Sequence, residues 1–270
     1  MNILMATDSN TYCGCELVVY TTLTHNKNVN FYILTMDIEI DNEETGEHFV
    51  YRGLNDWQKS KLRRIVKYFD KNSHITIIDA KDYYLEHLKD SPNKYSCFTP
   101  YATLRLMADI ILPHVHNVLY LDCDTAVMGD ITGVYEEYTH KDCNYAAWMA
   151  EDACDGEGEM VSGVMIMNLD KMRETGFLAT ARRNYMQNKY RYPDQDAIRD
   201  AGKPVHLPQY FGFCNNLDDC FDMPLVLHFT NQLSPKIYTD KGRTYFFKKF
   251  PFLQYVKDGV ELIDRINFKD

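Results

Sequence analysis

Midway along the chain an apolar run, Leu119-Tyr120-Leu121, ends in Asp122-Cys123-Asp124-Thr125. Two carboxylates held one residue apart repel each other unless a cation lies between them. Hard oxygen ligands suit Mg²⁺ or Mn²⁺, and these ions commonly bridge protein carboxylates to phosphates. Asp122 and Asp124 therefore point to a divalent metal and a phosphorylated ligand. The motif is short, and two solvated acids at a strand end are the competing reading.

To do this chemistry the two acids need a rigid support. Asn117 to Leu121, after the break at Pro113, reads as a buried strand. A strand ending in acids delivers them to the carboxyl edge of a sheet, where open α/β folds bind ligands. Asn2 to Thr7 is a second such strand, ending at Asp8, so Asp8 and Asp122 could share one edge. Between them the pattern predicts a helix over Cys15 to Thr24 and strands over Val29 to Thr35 and Ser73 to Asp79. Leu62, Ile65, Val66 and Phe69 recur at helical spacing within Leu54 to Phe69, with Asn55 or Asp56 as cap. Thr99 and Pro100 open a further helix that carries Leu104, Met107, Ala108 and Ile111 on one face and stops at Pro113.

The second half is less regular. Strands are expected over Tyr145 to Met149, Val164 to Asn168 and Leu225 to Phe229. Helices are expected over Leu169 to Gly176, Phe177 to Tyr190 and Asp194 to Ala201, and a loop over Asp152 to Gly158. Alternating strands and short-linked helices predict a mostly parallel sheet flanked by helices.

Composition narrows the function. The chain has 270 residues, is 45% hydrophobic and carries a net charge of −10. That charge argues against general affinity for nucleic acid, which needs a basic face, but a bound metal would let an acidic pocket hold a diphosphate. No apolar run reaches the ~18 residues of a spanning helix, and the N-terminus shows no signal pattern. The expectation is a cytoplasmic protein. A C-terminal stretch of aromatics and lysines, Tyr245 to Phe250, either covers the core or touches a membrane surface. The eight cysteines show no disulfide framework or zinc spacing and read as free thiols.

Six blocks stand in order: Ala6-Thr7-Asp8-Ser9-Asn10; Tyr101 to Leu106 with Arg105; Asp122-Cys123-Asp124; Ser162-Gly163 through Leu169; Asp194-Gln195-Asp196; and Leu227-His228-Phe229-Thr230 with Lys236 downstream. Together they resemble glycosyltransferase family 8, metal-dependent retaining transferases that use UDP-glucose or UDP-galactose. The resemblance implies the Rossmann-like GT-A fold over residues 1–236, a single domain, with 237–270 as a C-terminal extension. It implies Mn²⁺, or Mg²⁺, held by Asp122, Asp124 and His228, with Lys236 adding charge against the diphosphate. Ala6, Thr7, Asp8 and Asn10 would hold the uracil, with Tyr12 stacking on it. Arg105, Cys123, Ser162, Gly163, Asp194 and Gln195 would line the donor, with Asp194 gripping sugar hydroxyls. The acceptor would be a saccharide, glycolipid or glycoprotein. Gln195 stands where a nucleophile would lie in a double displacement, and an amide is a poor nucleophile, so front-face attack is expected.

The chain departs from the family pattern in three places. Val161 replaces an expected Asn before Ser162-Gly163, Thr11 intervenes before Tyr12, and the stretch from His228 to Lys236 is long and lacks glycine. Two rival readings follow. One is a catalytically silent sugar-nucleotide binder. The other is a haloacid-dehalogenase-type phosphatase, whose Asp-X-Asp-X-Thr strand Asp122 to Thr125 also resembles. Turnover of a UDP-sugar separates them.

Overall fold

A strand covered on both faces must be apolar at successive positions. The strand Asn2–Ala6 meets this condition, with Ile3 and Met5 in one core and Leu4 in another. The strand Asn117–Leu121 divides in the same way. Leu119 and Leu121 join Ile3, while Val118 and Tyr120 join Leu4. Two cores on opposite faces of one sheet require helices on both sides.

A computed structural model describes residues 1–43, 45–96, 98–150, 159–214 and 224–229. The elements begin with β1 (Asn2–Ala6), α1 (Tyr12–His25), β2 (Asn30–Thr35), the hairpin β3 (Ile38–Asp41) and β4 (His48–Tyr51), α2 (Asp56–Phe69), β5 (His74–Asp79) and α3 (Lys81–His87). A 3₁₀ segment (Ala102–Met107) then runs into α4 (Ala108–Ile111), followed by β6 (Asn117–Leu121), β7 (Thr125–Val127) and α5 (Thr132–Thr139). The remainder comprises β8 (Tyr145–Ala150), β9 (Glu159–Asn168), α6 (Leu169–Thr175), α7 (Phe177–Gln187), α8 (Pro193–Ala201), β10 (Val205–His206), β11 (Gly212–Cys214) and β12 (Val226–His228).

The main sheet has seven strands in the order β10-β8-β9-β6-β1-β2-β5. Its pairings are parallel except that β9 runs against both β6 and β8. Helices α1, α2 and α5 cover the Ile3 face, and α3, α4 and α6 to α8 cover the Leu4 face. A smaller sheet, β11-β12-β7, stands beside it. No helix among the described residues is long and apolar enough to cross a membrane.

Two expected elements near the site differ. Helix α1 begins at Tyr12, earlier than the Cys15 of the sequence pattern. The cause is Asp8, whose Oδ1 accepts the Thr11 backbone N–H at 2.6 Å and that of Asn10 at 3.1 Å, satisfying donors ahead of the first turn. The helix is buried almost all round, which explains its poor amphipathic signal. The segment opened by Thr99 and Pro100 is largely 3₁₀ rather than α. Ala102, Thr103 and Leu104 donate three residues back, to Thr99, Pro100 and Tyr101. The Asp152 to Gly158 stretch, Lys236 and the 237–270 extension lie outside the described residues.

Candidate active site

Strand register brings the metal-type residues together. Beyond β6, Asp122 N donates to Gly163 O at 2.9 Å, continuing the pairing with β9. Thr125 Oγ1 donates to Asp122 O at 2.8 Å and closes the turn into β7. Strand β12 lies antiparallel to β7 with His228 opposite Thr125, and Phe229 N donates to Asp124 O at 2.8 Å. His228 Nε2 is thereby 3.1 Å from Asp124 Oδ1 and 3.8 Å from Asp122 Oδ2. One ligand atom from each residue lies within 4.8 Å of the others. Two carboxylate oxygens and one imidazole nitrogen make a donor set that fits a divalent cation.

The room for such an ion depends on Gly163. A Cβ there would stand 2.3 Å from His228 Cε1 and 2.7 Å from both His228 Nε2 and Asp122 Oδ2. Gly14 has a similar role on the other side. A Cβ on it would lie 2.1 Å from Cys123 O, so its absence lets α1 press directly against the Asp122-Cys123-Asp124 turn. Cys123 Sγ donates to Ala6 O at 3.4 Å and ties that turn to β1.

Beneath the carboxylates lies Arg105, only 2% exposed. Its Nη2 donates to Asp122 Oδ1 at 2.7 Å, and its Nη1 to Ser162 O at 2.6 Å and Ser162 Oγ at 3.0 Å. Its Nε lies 3.0 Å from Asp194 Oδ2. Burial works against the Arg105 charge, but Asp122 and then Asp194 outweigh it and hold the group above its usual range. Burial also pushes the Asp194 carboxyl up, and Arg105 only partly offsets this. Asp194 sits in the first turn of α8, after Pro193, where the helix dipole favours an acid. Its neighbour Gln195 accepts the Ser162 N–H through Oε1 at 3.1 Å. Ser162 thus joins Arg105 and Gln195.

Two of the residues expected at the donor are engaged within the protein. Arg105 does not extend toward a donor as a surface cation would; it underpins Asp122, Asp194 and Ser162. Tyr12 is 3% exposed on α1, its ring 6.0 Å from Trp57 and its hydroxyl bonded to Glu16 Oε1. Asp8 is likewise engaged by its own loop, through Asn10 and the Thr11 amide and hydroxyl. Thr7 is buried with its N–H on Leu34 O, whereas Asn10 is exposed.

A family model described as Glycosyl transferase family 8 matches residues 2–201. The chain belongs to that family. Curated relatives include the Glycosyltransferase 8 domain-containing protein 1 of Bos taurus and of Homo sapiens. Each is 26% identical over 150 residues, which are 55% of this chain and 35% of theirs. The chain therefore aligns with about a third of the length of these relatives. Among solved structures, the galactosyltransferase LgtC, crystallised with donor and acceptor sugar analogs, superposes with a TM-score of 0.70 at 15% identity, covering 100% of this chain and 98% of that one. Mouse xyloside xylosyltransferase 1 gives 0.61 at 11% identity, covering 86% and 99%. GlyE of Streptococcus pneumoniae gives 0.57 at 22%, covering 87% and 56%. At these identities the likeness is one of fold, and the fold is GT-A.

Sequence reasoning missed two contributors. Gly14 gave no signal, because close approach of backbones is a tertiary fact. Tyr120 bonds Asp122 through its hydroxyl; two-residue strand spacing placed it on the same face and was the available clue.

Proposed function

We propose that this family 8 member is a metal-dependent retaining transferase that moves glucose or galactose from a UDP-sugar to a saccharide, glycolipid or glycoprotein acceptor. What supports this is one observation: Asp122, Asp124 and His228 converge at the sheet edge directly above the Arg105–Asp194–Gln195 group. A bound divalent ion there would supply Lewis-acid stabilisation to a departing diphosphate. Asp122, Asp124 and His228 would hold it, and an imidazole among the ligands favours Mn²⁺ over Mg²⁺. Lys236 would add a point charge against the same phosphates. The loop from Ala6 to Asn10 would carry the uracil.

The residues around Gln195 would set the stereochemistry. Asp194 is buried and held by Arg105, whose Nε lies 3.0 Å from Oδ2, which would fix the carboxylate in place to receive a sugar hydroxyl. Gln195, its carboxamide plane fixed by Ser162, would place a dipole rather than a nucleophile beside the anomeric carbon. Attack from the leaving-group face then retains configuration, with the acceptor proton passing to the departing phosphate. A panel of UDP-sugars scored for Mn²⁺-dependent transfer or hydrolysis, with NMR of the released sugar before mutarotation, tests this. Turnover with retained α-configuration is expected. Full activity in EDTA, or a β-product, would refute it, and binding without turnover would identify a silent sugar-nucleotide binder.

A further inference from the structure

A carboxylate next to a guanidinium commonly takes it fork to fork, with both oxygens. Asp122 does not. Arg105 Nη2 reaches its Oδ1, but Nη1 is turned aside to Ser162 O and Oγ. A second donor, the Tyr120 hydroxyl, meets the same Oδ1 at 2.8 Å. Oδ2 is left on the opposite side, 3.8 Å from His228 Nε2 and facing the gap kept open by Gly163. The two oxygens of one side chain thus have different neighbours.

Tyr120 is well suited to enforce this division. Strand geometry puts it on the same sheet face as Asp122, two residues on. It is 1% exposed, and the Arg105 guanidinium carbon lies 4.2 Å from the ring centroid. The ring is held between core and cation, so its hydroxyl is confined in direction.

We propose that Tyr120 is a positioning residue for the metal site: with Arg105 it occupies Oδ1 of Asp122 and so presents Oδ2 alone, as a single-atom ligand, to a cation shared with Asp124 and His228. This rests on the metal reading under Proposed function. Hydrogen bonds to the outer atoms of metal ligands are typically worth about 10–100-fold in affinity.

The test is titration of Mn²⁺ alone into the full chain, with free Mn²⁺ followed by its EPR signal. Tyr120→Phe keeps the ring over Arg105 and removes only the hydroxyl. Its Kd for Mn²⁺ should rise by about 10–100-fold, with the metal-free melting temperature close to that of wild type. A folded Tyr120→Phe with wild-type Kd would overturn the inference. A second measurement needs no variant. A crystal structure of wild type with Mn²⁺ should show Asp122 bound through Oδ2 only, with Tyr120 and Arg105 still on Oδ1. A bidentate Asp122 would overturn it. Wild type that binds no Mn²⁺ would overturn the metal reading itself, and this inference with it.

Discussion

At the scale of single residues, the absence of one side chain decides whether three ligands can meet. Gly163→Ala would drive a methyl group into His228 and Asp122 at separations no real contact shows. The variant should keep its circular dichroism spectrum and lose Mn²⁺ affinity by at least about tenfold; unchanged affinity would move the metal elsewhere. Arg105→Ala would leave Asp122 and Asp194 without their shared counter-charge. Breaking a buried pair in this way costs about 3–5 kcal/mol, readable as a shifted urea midpoint; a loss well under that would mean water replaces the cation. Gln195→Ala should slow transfer by about 10²-fold, the scale of one well-placed dipole, with UDP affinity held. A wild-type rate would make Gln195 a bystander. Asp122, Asp124 and His228 were legible because their types and order carry chemistry. The inward turn of Arg105 was not, because the 3₁₀ winding and the two buried acids that draw it in are tertiary facts. The burial of Tyr12 was not legible, because it depends on where α1 starts, and Asp8 sets that through its loop bonds.

At the scale of elements, α2 shows how a cap reaches the site. Asn55 Oδ1 accepts Gln58 N–H at 2.9 Å and Gln58 Oε1 accepts Asn55 N–H at 2.9 Å, a reciprocal capping box. Gln58 Nε2 also donates to Ser9 O at 3.2 Å, in the loop after β1. Asn55→Ala should cost about 1 kcal/mol in thermal or urea unfolding. It should also weaken UDP binding by loosening that loop. Stability lost with UDP affinity intact would show that the cap and the loop are independent. This helix and the doubly buried strands β1, β2 and β6 were readable, since their apolar patterns follow directly from what covers them. The hairpin β3–β4 and strand β7 were not. Strand β7 spans three residues, Thr125–Val127, too few for any period to show, and it exists because β12 pairs with it. Strand β9 reads as five residues in sequence but runs from Glu159 to Asn168, because β8 pairs along its earlier half.

At the scale of the whole molecule, the layered α/β architecture was legible from alternation alone, while the reversal of β9 was not: direction is set by which neighbour a strand meets, not by its composition. The proposed metal ligands belong to different sheets, Asp122 following β6 of the main sheet and His228 ending β12 of the side sheet. An ion shared between them would brace the two together. Mn²⁺ at a hundred times its Kd should add about 2.7 kcal/mol of stability, seen as a higher melting temperature that EDTA reverses and that His228→Ala does not show. An equal rise in His228→Ala would place the ion elsewhere. The same arrangement has a consequence in time. Asp124 and His228 are 104 positions apart, and a ribosome adds about 5–20 residues per second. Seconds therefore pass in which the strand carrying both aspartates has already been made and its imidazole has not. Throughout that interval the growing chain has a scaffold and no complete ion trap. The proposed ion trap is completed only by the short strand that ends in His228.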